Sequence, residues 1–490
     1  MAREISRRHE TGRSAGSATR SQGQLKLMTI GERVARLREF DRDLPDQQGT
    51  SWLPPAHTLT VWKQVSKINR TVIRRLVRLP ASRGVVDFSR FSSQSPGRLI
   101  STSGGLSAFV PHPLPPKEWR LSPEIWPLLN EATNRLYLLE GIGRTLPNPF
   151  MLLGPLIRRE SILSSRIEGT YATPRQLLLF ELHPVEPRDH NDPESDFEEV
   201  ANYVEAFRYS LESQLPLSLR LIRDWHRILM QGVRGKDRTP GEFRRTQVGI
   251  GNPDDPRFVP PPPQEIGQCL DSFEKYINSS TSGLPPLIDC FLAHYQFETI
   301  HPFLDGNGRV GRLLLSTMIQ IKSGLTKPWL HLSGYFERHR QQYVDRLFAV
   351  SAGNDWEGWI RLCLQATISQ AGETIERCHN LQLAYRDFME RLKGAKGSIR
   401  LAAIVESLFS SPLVEPRALQ RQLNVSYPTA QKDVDRLCDL GILELLSGPE
   451  FKTYWSRRVF EIAYAGVEPS PTGPEDSPNP SPTSTPPIEP

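Results

Sequence analysis

The sequence reads as a mainly α protein of several domains, and three observations predict it. Long segments carry apolar residues at helical spacing, a single extended hairpin interrupts them, and a smaller unit of three short helices and strand-like sequence follows. At 490 residues the chain is longer than one core fills, so two or three domains are expected.

The helical part begins at Val110-Pro111-His112-Pro113-Leu114-Pro115-Pro116, and Ile125 to Leu139 and Leu217 to Met230 are its clearest amphipathic stretches. The exception runs from Gly241 through Ile250, turns at Asn252-Pro253-Asp254-Asp255 and returns through Arg257-Phe258-Val259, which predicts a β-hairpin. Pro260 to Pro263 must end it, because consecutive prolines cannot donate to a strand ladder. Helices then resume to about Gln370. Beyond them, helices near Ile399 to Phe409, Glu415 to Gln422 and Ser426 to Leu440, then Gly441-Ile442-Leu443 and strand-like Phe451 to Trp455, form a winged-helix pattern.

Composition narrows the class. A net charge of +5 with a pI near 8.9 is mild for this length and does not by itself indicate a nucleic-acid partner. Five scattered cysteines without C-x-x-C spacing fit reduced thiols better than a disulfide framework or zinc site. No apolar stretch approaches a membrane span, so a soluble, cytoplasmic protein without a membrane partner is expected. Residues 1 to about 50 are polar and basic, and Val72 to Leu79 is an Arg-rich apolar stretch that reads as one short helix in a linker, with a nucleic-acid or membrane-surface helix the weaker alternative. Met28 offers an alternative start.

The run His301-Pro302-Phe303-Leu304-Asp305-Gly306-Asn307-Gly308-Arg309-Val310-Gly311-Arg312 carries the chemistry. Gly306 and Gly308 let successive backbone N–H groups point into one concavity at the start of a helix, which is an anion site. Asp305 suits Mg²⁺, which prefers a carboxylate plus substrate phosphates. Arg309 and Arg312, three apart, can face one anion. His301, just before the loop, has an imidazole able to take a proton from a hydroxyl.

H-P-F-x-D-G-N-G-R-x-x-R resembles the signature of the Fic family, with every specified position present. The resemblance implies a protein adenylyltransferase: His301 deprotonates a Ser, Thr or Tyr hydroxyl of a target, which attacks the α-phosphate of ATP. Asp305 would hold Mg²⁺; Gly306, Asn307, Gly308, Arg309, Val310, Gly311 and Arg312 would line the nucleotide. Leu332 to Glu337 and Arg340 to Tyr343 resemble the segment bordering the adenosine, with Tyr343 either a contact or a core aromatic.

A second motif lies upstream. Ser164 and Glu168 are four apart, on one helix face, with Gly169 to end the helix. S/T-x-x-x-E-G/N resembles the inhibitory motif of the family, which implies that Glu168 pairs with Arg312 and keeps ATP from its productive pose. The hairpin at 243–259 resembles the flap that aligns a target protein, which can be the chain itself. The fold implied is a mainly α, Fic-type helical core with a β-hairpin flap and a C-terminal winged helix. Lys432 and Arg436 on that last unit leave DNA or protein contact open, with Asp433, Asp435 and Asp439 weighing against DNA.

The boundaries expected are 1–107 for a disordered basic extension and linker, 108–215 for the helical region with the inhibitory motif, and 216–370 for the core with its flap. A linker helix at 371–396, a winged helix at 397–460 and a disordered Pro/Ser/Thr-rich tail at 461–490 complete them. Removal of AMP from a protein, or a nucleotide-responsive DNA-binding regulator, are the alternatives, and a homodimer stays open.

Overall fold

The computed structural model describes residues 90–467 apart from 103–106, 118, 146–148, 190–191, 233–235, 253–254, 280–281, 394–397 and 447–451. The expected helix at 72–79, the polar segment 1–50, the hairpin tip at Pro253-Asp254 and the tail beyond 467 lie outside these residues.

Strands β1 (Gly97–Ser101) and β2 (Ser107–Pro111) open the described chain as an antiparallel pair in register from Gly97↔Pro111 to Ser101↔Ser107. This corrects the expectation that 1–107 is an unstructured extension. The strand escapes a pattern search because it is short and set among Ser and Gly. What fixes it is tertiary: Phe109 stacks on Phe91 with ring centroids 5.6 Å apart and meets Phe258 at 5.8 Å, and Arg98 pairs with Glu265. The Phe109 amide donates to the Val259 carbonyl (2.9 Å), which ties this hairpin to the one expected as the flap.

The helices follow in order: α1 (Trp126–Thr145), α2 (Phe150–Ile167), α3 (Pro174–Leu182), α4 (Glu194–Glu212) and α5 (Leu219–Leu229). Next come β3 (Ile250–Gly251) and β4 (Pro256–Phe258), paired antiparallel as the expected hairpin. Pro263 then starts α6 (Pro263–Ile277), a position where its missing N–H costs nothing. Helices α7 (Pro286–Ile300) and α8 (Asn307–Lys322) form the centre of the core. Nearly every residue of α7 is buried, so it carries no amphipathic stripe and is packed on all sides.

The core is completed by α9 (Ser333–Arg338), α10 (Arg340–Gly353) and α11 (Trp356–Arg391). The boundary expected at residue 370 falls inside α11, a single helix of 36 residues and about 54 Å. It packs along α1 at one end and reaches the C-terminal unit at the other. No Pro or Gly-rich break divides it, and Trp359, Leu362, Ala366, Ala371, Cys378 and Leu381 are buried along its length.

The C-terminal unit contains α12 (Ser398–Ser410), β5 (Leu413–Val414), α13 (Pro416–Leu423), α14 (Tyr427–Asp439), β6 (Glu444–Leu445) and β7 (Tyr454–Trp455). Its three strands run in the order β5-β7-β6, all antiparallel. One further helix, α15 (Arg457–Tyr464), lies beyond the strands. The chain stays packed to Val467, which is buried, so residues 461–467 of the expected disordered tail are instead ordered. Phe460, Ala463 and Tyr464 supply the apolar face that holds this last turn.

Replacing Phe109 by Ala is expected to destabilise the protein by about 3–5 kcal/mol, the usual cost of an emptied aromatic site. A lower midpoint of urea unfolding checks it.

Candidate functional site

The chain reverses between α7 and α8 in six residues, 301–306, and local chemistry dictates how. His301 ends α7 in the left-handed region (φ 50°, ψ 60°) and Pro302 prevents the helix from continuing. Gly306, at φ 75°, makes the second left-handed turn needed to start α8. Between them, the Asn307 carboxamide closes the loop in both directions: Oδ1 accepts from the Phe303 amide (2.8 Å) and Nδ2 donates to the Phe303 carbonyl (3.0 Å).

The first helical bond of α8 runs from the Val310 amide to the Gly306 carbonyl (3.0 Å). The amides of Asn307, Gly308 and Arg309 therefore have no intrahelical acceptor and point out of the helix end, at its positive pole. A carboxylate sits over this end. A Cβ at Gly308 would collide with Glu168 Oε1, so glycine is required by the space as well as by the loop.

Glu168 belongs to the expected upstream motif, and the structure brings that motif to Arg312. Arg312 Nε donates to Ser164 Oγ (2.8 Å), and Nη2 donates to the Ser164 carbonyl (2.9 Å) and to Glu168 Oε1 (2.8 Å). Helix α2 ends at Ile167, and Gly169 (φ 89°) turns the chain away just after the carboxylate. Burial alone raises the Glu168 carboxyl, but the guanidinium outweighs it and holds the group below its ordinary range. The charged pair is thus the resting arrangement.

Arg309 acts on this carboxylate through its charge, while its own hydrogen bond goes elsewhere. It is turned to Glu199 of α4, in a short contact, and to Asp305 Oδ1 at 3.6 Å. Arg309 and Arg312 thus both bear on Glu168 through their charge, while Glu199 and Asp305 take the Arg309 side chain and Glu168 takes that of Arg312. Asp305 Oδ1 also accepts from the Gly306 amide (2.6 Å), and burial pushes its carboxyl up.

His301 is half-buried beside the loop. The Glu298 carbonyl can only accept, so the 3.2 Å contact assigns the proton to Nδ1 and leaves the Nε2 lone pair available. Burial, then the nearby Arg244 charge, pushes its pKa down to about 4, which keeps the ring neutral. Arg244 is buried and donates to backbone carbonyls: Nε to His301 (2.8 Å), Nη1 to Thr246 (3.1 Å) and Nη2 to Pro261 (2.5 Å) and Ile300 (3.4 Å). It fastens the β3–β4 hairpin to the histidine.

Val310, Gly311 and Tyr343 were expected to line a nucleotide, and the structure places them in the packing beneath the loop. Val310 is 1% exposed, because one further residue rotates it off the helix end into the core. Gly311 faces α7, where a Cβ would meet the Glu298 carboxylate. Tyr343 is buried, stacks on Phe336 at 4.4 Å and donates to His294 Nε2 (2.9 Å); His294 Nδ1 in turn donates to the Gly311 carbonyl (3.1 Å).

Several supporting residues went unnoticed in the sequence. His226 stacks on Phe303 with centroids 3.8 Å apart; its Nε2 donates to the Asp305 carbonyl (3.1 Å) and its Nδ1 accepts from the Gly241 amide (2.8 Å). Glu199, Arg244, His294 and Glu298 are similar cases. No short motif contains them, and only the fold assembles them.

Fold and site together define a helical protein built around a loop-to-helix anion site that an internal carboxylate occupies. A profile described as Fic/DOC family matches residues 216–319, and one described as Fic/DOC family N-terminal matches 126–212. The likeness to the Fic/DOC family thus lies in residues 126–212 and 216–319. "Protein adenylyltransferase Fic" of Drosophila grimshawi is 40% identical over 111 residues, 22% of this chain and 22% of that one. The Drosophila virilis protein of the same name is also 40% identical over 111 residues, covering 22% and 21%. The chain thus spans about a fifth of the length of the curated relatives it matches. A Fic family protein from Desulfovibrio desulfuricans G20 is 18% identical over 69% of this chain and 97% of that one, with a TM-score of 0.44. Fic-1 from C. elegans is 22% identical over 52% and 74%, with a TM-score of 0.41.

His301 is expected to remain neutral from pH 8 to about 5.5, with a midpoint near 4, in imidazole NMR of the folded protein. Its folded value lies below the ordinary 6.5, so the stability it contributes is present above about 6.5 and lost as pH falls towards 4. A midpoint near 6.5 is the contrary result.

Proposed function

We propose that the protein transfers AMP from ATP to a hydroxyl of a protein, itself included, and rests in an inhibited state. The observation that carries this reading is Glu168, bonded to Arg312 and lying over the N-terminus of α8, where its charge also bears on the neutral His301.

His301 Nε2 takes the proton of a Ser, Thr or Tyr hydroxyl. The hydroxyl oxygen forms a bond to the α-phosphorus while the bond to the β-phosphate oxygen breaks, and pyrophosphate leaves. The amides of Asn307, Gly308 and Arg309 receive phosphate oxygens, so catalysis is mostly positioning and electrostatic stabilisation. Mg²⁺ fits the acidic side of the loop: Asp305 offers a carboxylate about one-third exposed, and a magnesium ion needs only one or two carboxylates besides phosphates. When bound, the ion would neutralise charge on the phosphates.

A target segment is best received at the β3 edge of the flap 243–259, because the chain just past β4 already bonds to β2 through Phe109 and Val259. The C-terminal unit is read as a winged helix. Asp433, counted earlier against DNA, is buried on Arg400 and does not contribute to the exposed face of α14. Among the described residues no helix is long and apolar enough to cross a membrane.

With ATP and Mg²⁺, Glu168→Gly is expected to incorporate AMP on the order of tenfold or more above the unaltered chain, by mass spectrometry. His301→Ala in that background should abolish it. No incorporation by Glu168→Gly would sink the proposal, and AMP loss from an AMP-bearing protein would assign the reverse reaction.

A further inference from the structure

Helix α2 has two working faces. Ser164 and Glu168 are four residues apart and turn to Arg312. Arg159 and Arg166 are seven apart, which places them together on another face. That face is spent on the C-terminal unit. Arg159 Nη1 donates to the Ala465 carbonyl (2.7 Å) and Arg166 Nη1 to the Val467 carbonyl (2.6 Å). Arg158, between the faces, is bidentate on Glu181 of α3 and donates to the Ser410 carbonyl at the end of α12 (2.7 Å).

These are charge-assisted bonds to backbone carbonyls, shorter than neutral ones and aimed at fixed points of the chain. The acceptors are shaped for the purpose. After α15 ends at Tyr464, Gly466 adopts φ 75° and returns the chain so that Val467 is buried with its carbonyl on Arg166. Arg166 stands two residues before Glu168, and its Nη2 reaches the Ala172 carbonyl (3.3 Å) on the far side of the motif. From the catalytic side, Arg340 Nε holds the Ile167 carbonyl (2.8 Å). The turn carrying Glu168 is therefore suspended between the core and the C-terminal unit.

We infer that the C-terminal unit sets the inhibition: Arg159 and Arg166 are positioning residues that, through the Ala465 and Val467 carbonyls, keep Glu168 seated on Arg312. This inference rests on the inhibitory reading of Glu168 and adds its regulator. A partner that draws 465–467 away from α2 would loosen the glutamate, and nucleotide that expels the glutamate would loosen 465–467 in return.

The test uses the full chain and a double-mutant design. Arg166→Ala is expected to raise AMP incorporation on the order of tenfold, the scale of one charge-assisted hydrogen bond. It should add nothing in the Glu168→Gly background, where the residue it positions is gone. Hydrogen exchange at the amides of 164–169 should be faster in Arg166→Ala than in the unaltered protein. Arg166→Lys, which keeps the charge but loses the fork, should show the same directions if the alanine variant folds poorly. Equal effects in both backgrounds, or no rise together with unchanged exchange, would overturn the inference. Should Glu168→Gly itself incorporate no AMP, the enzymatic reading fails separately, and the exchange rates alone decide whether the C-terminal unit holds this turn.

Discussion

Two hydrogen bonds between the Asn307 carboxamide and the Phe303 backbone hold the reversal on which the site depends. They let α7 and α8 leave the loop in fixed directions, so the helix end, His301 and Asp305 share one small region. The cost of this geometry is two left-handed residues, one of them a histidine. It is met by contacts from outside the loop: Arg244 on the His301 carbonyl and His226 on the Asp305 carbonyl.

The charges around that loop are arranged by burial. Arg309 and Arg312 are both nearly inaccessible, yet each meets a carboxylate from another helix, Glu199 from α4 and Glu168 from the end of α2. An unpaired buried guanidinium would be costly, so each arginine needs a partner in every state of the protein. Leaving Glu168 is favourable only when another anion takes its place. The loop and the end of α2 are in this sense one electrostatic unit built from distant stretches of chain.

Much of this was legible in the sequence because its motifs are local. The loop from His301 to Arg312, the Ser164–Glu168 spacing and the hairpin near Gly249 each depend on neighbours within a dozen residues. The pairing of Arg312 with Glu168 followed from the family resemblance, and the structure brings the two together. What escaped reading depends on contacts far apart in sequence. Strand β1 exists because of Phe109 and Phe258; α15 exists because its apolar face meets α3 and the small sheet. Tyr343 reads from sequence as either a ligand contact or a core aromatic, and only the packing of α10 turns it inward to His294.

The carboxylate that covers the α8 N-terminus is delivered by the same chain, and this has a kinetic and thermodynamic consequence. An intramolecular ligand acts at an effective concentration set by the tether, so dilution cannot remove it. Any anion arriving from solution competes with a constant rival, and its apparent affinity is its intrinsic affinity multiplied by the fraction of molecules in which Arg312 is unengaged. That fraction is a property of how tightly α2 is held, whatever the protein concentration, which makes the stiffness of one helix end a dial on the whole site.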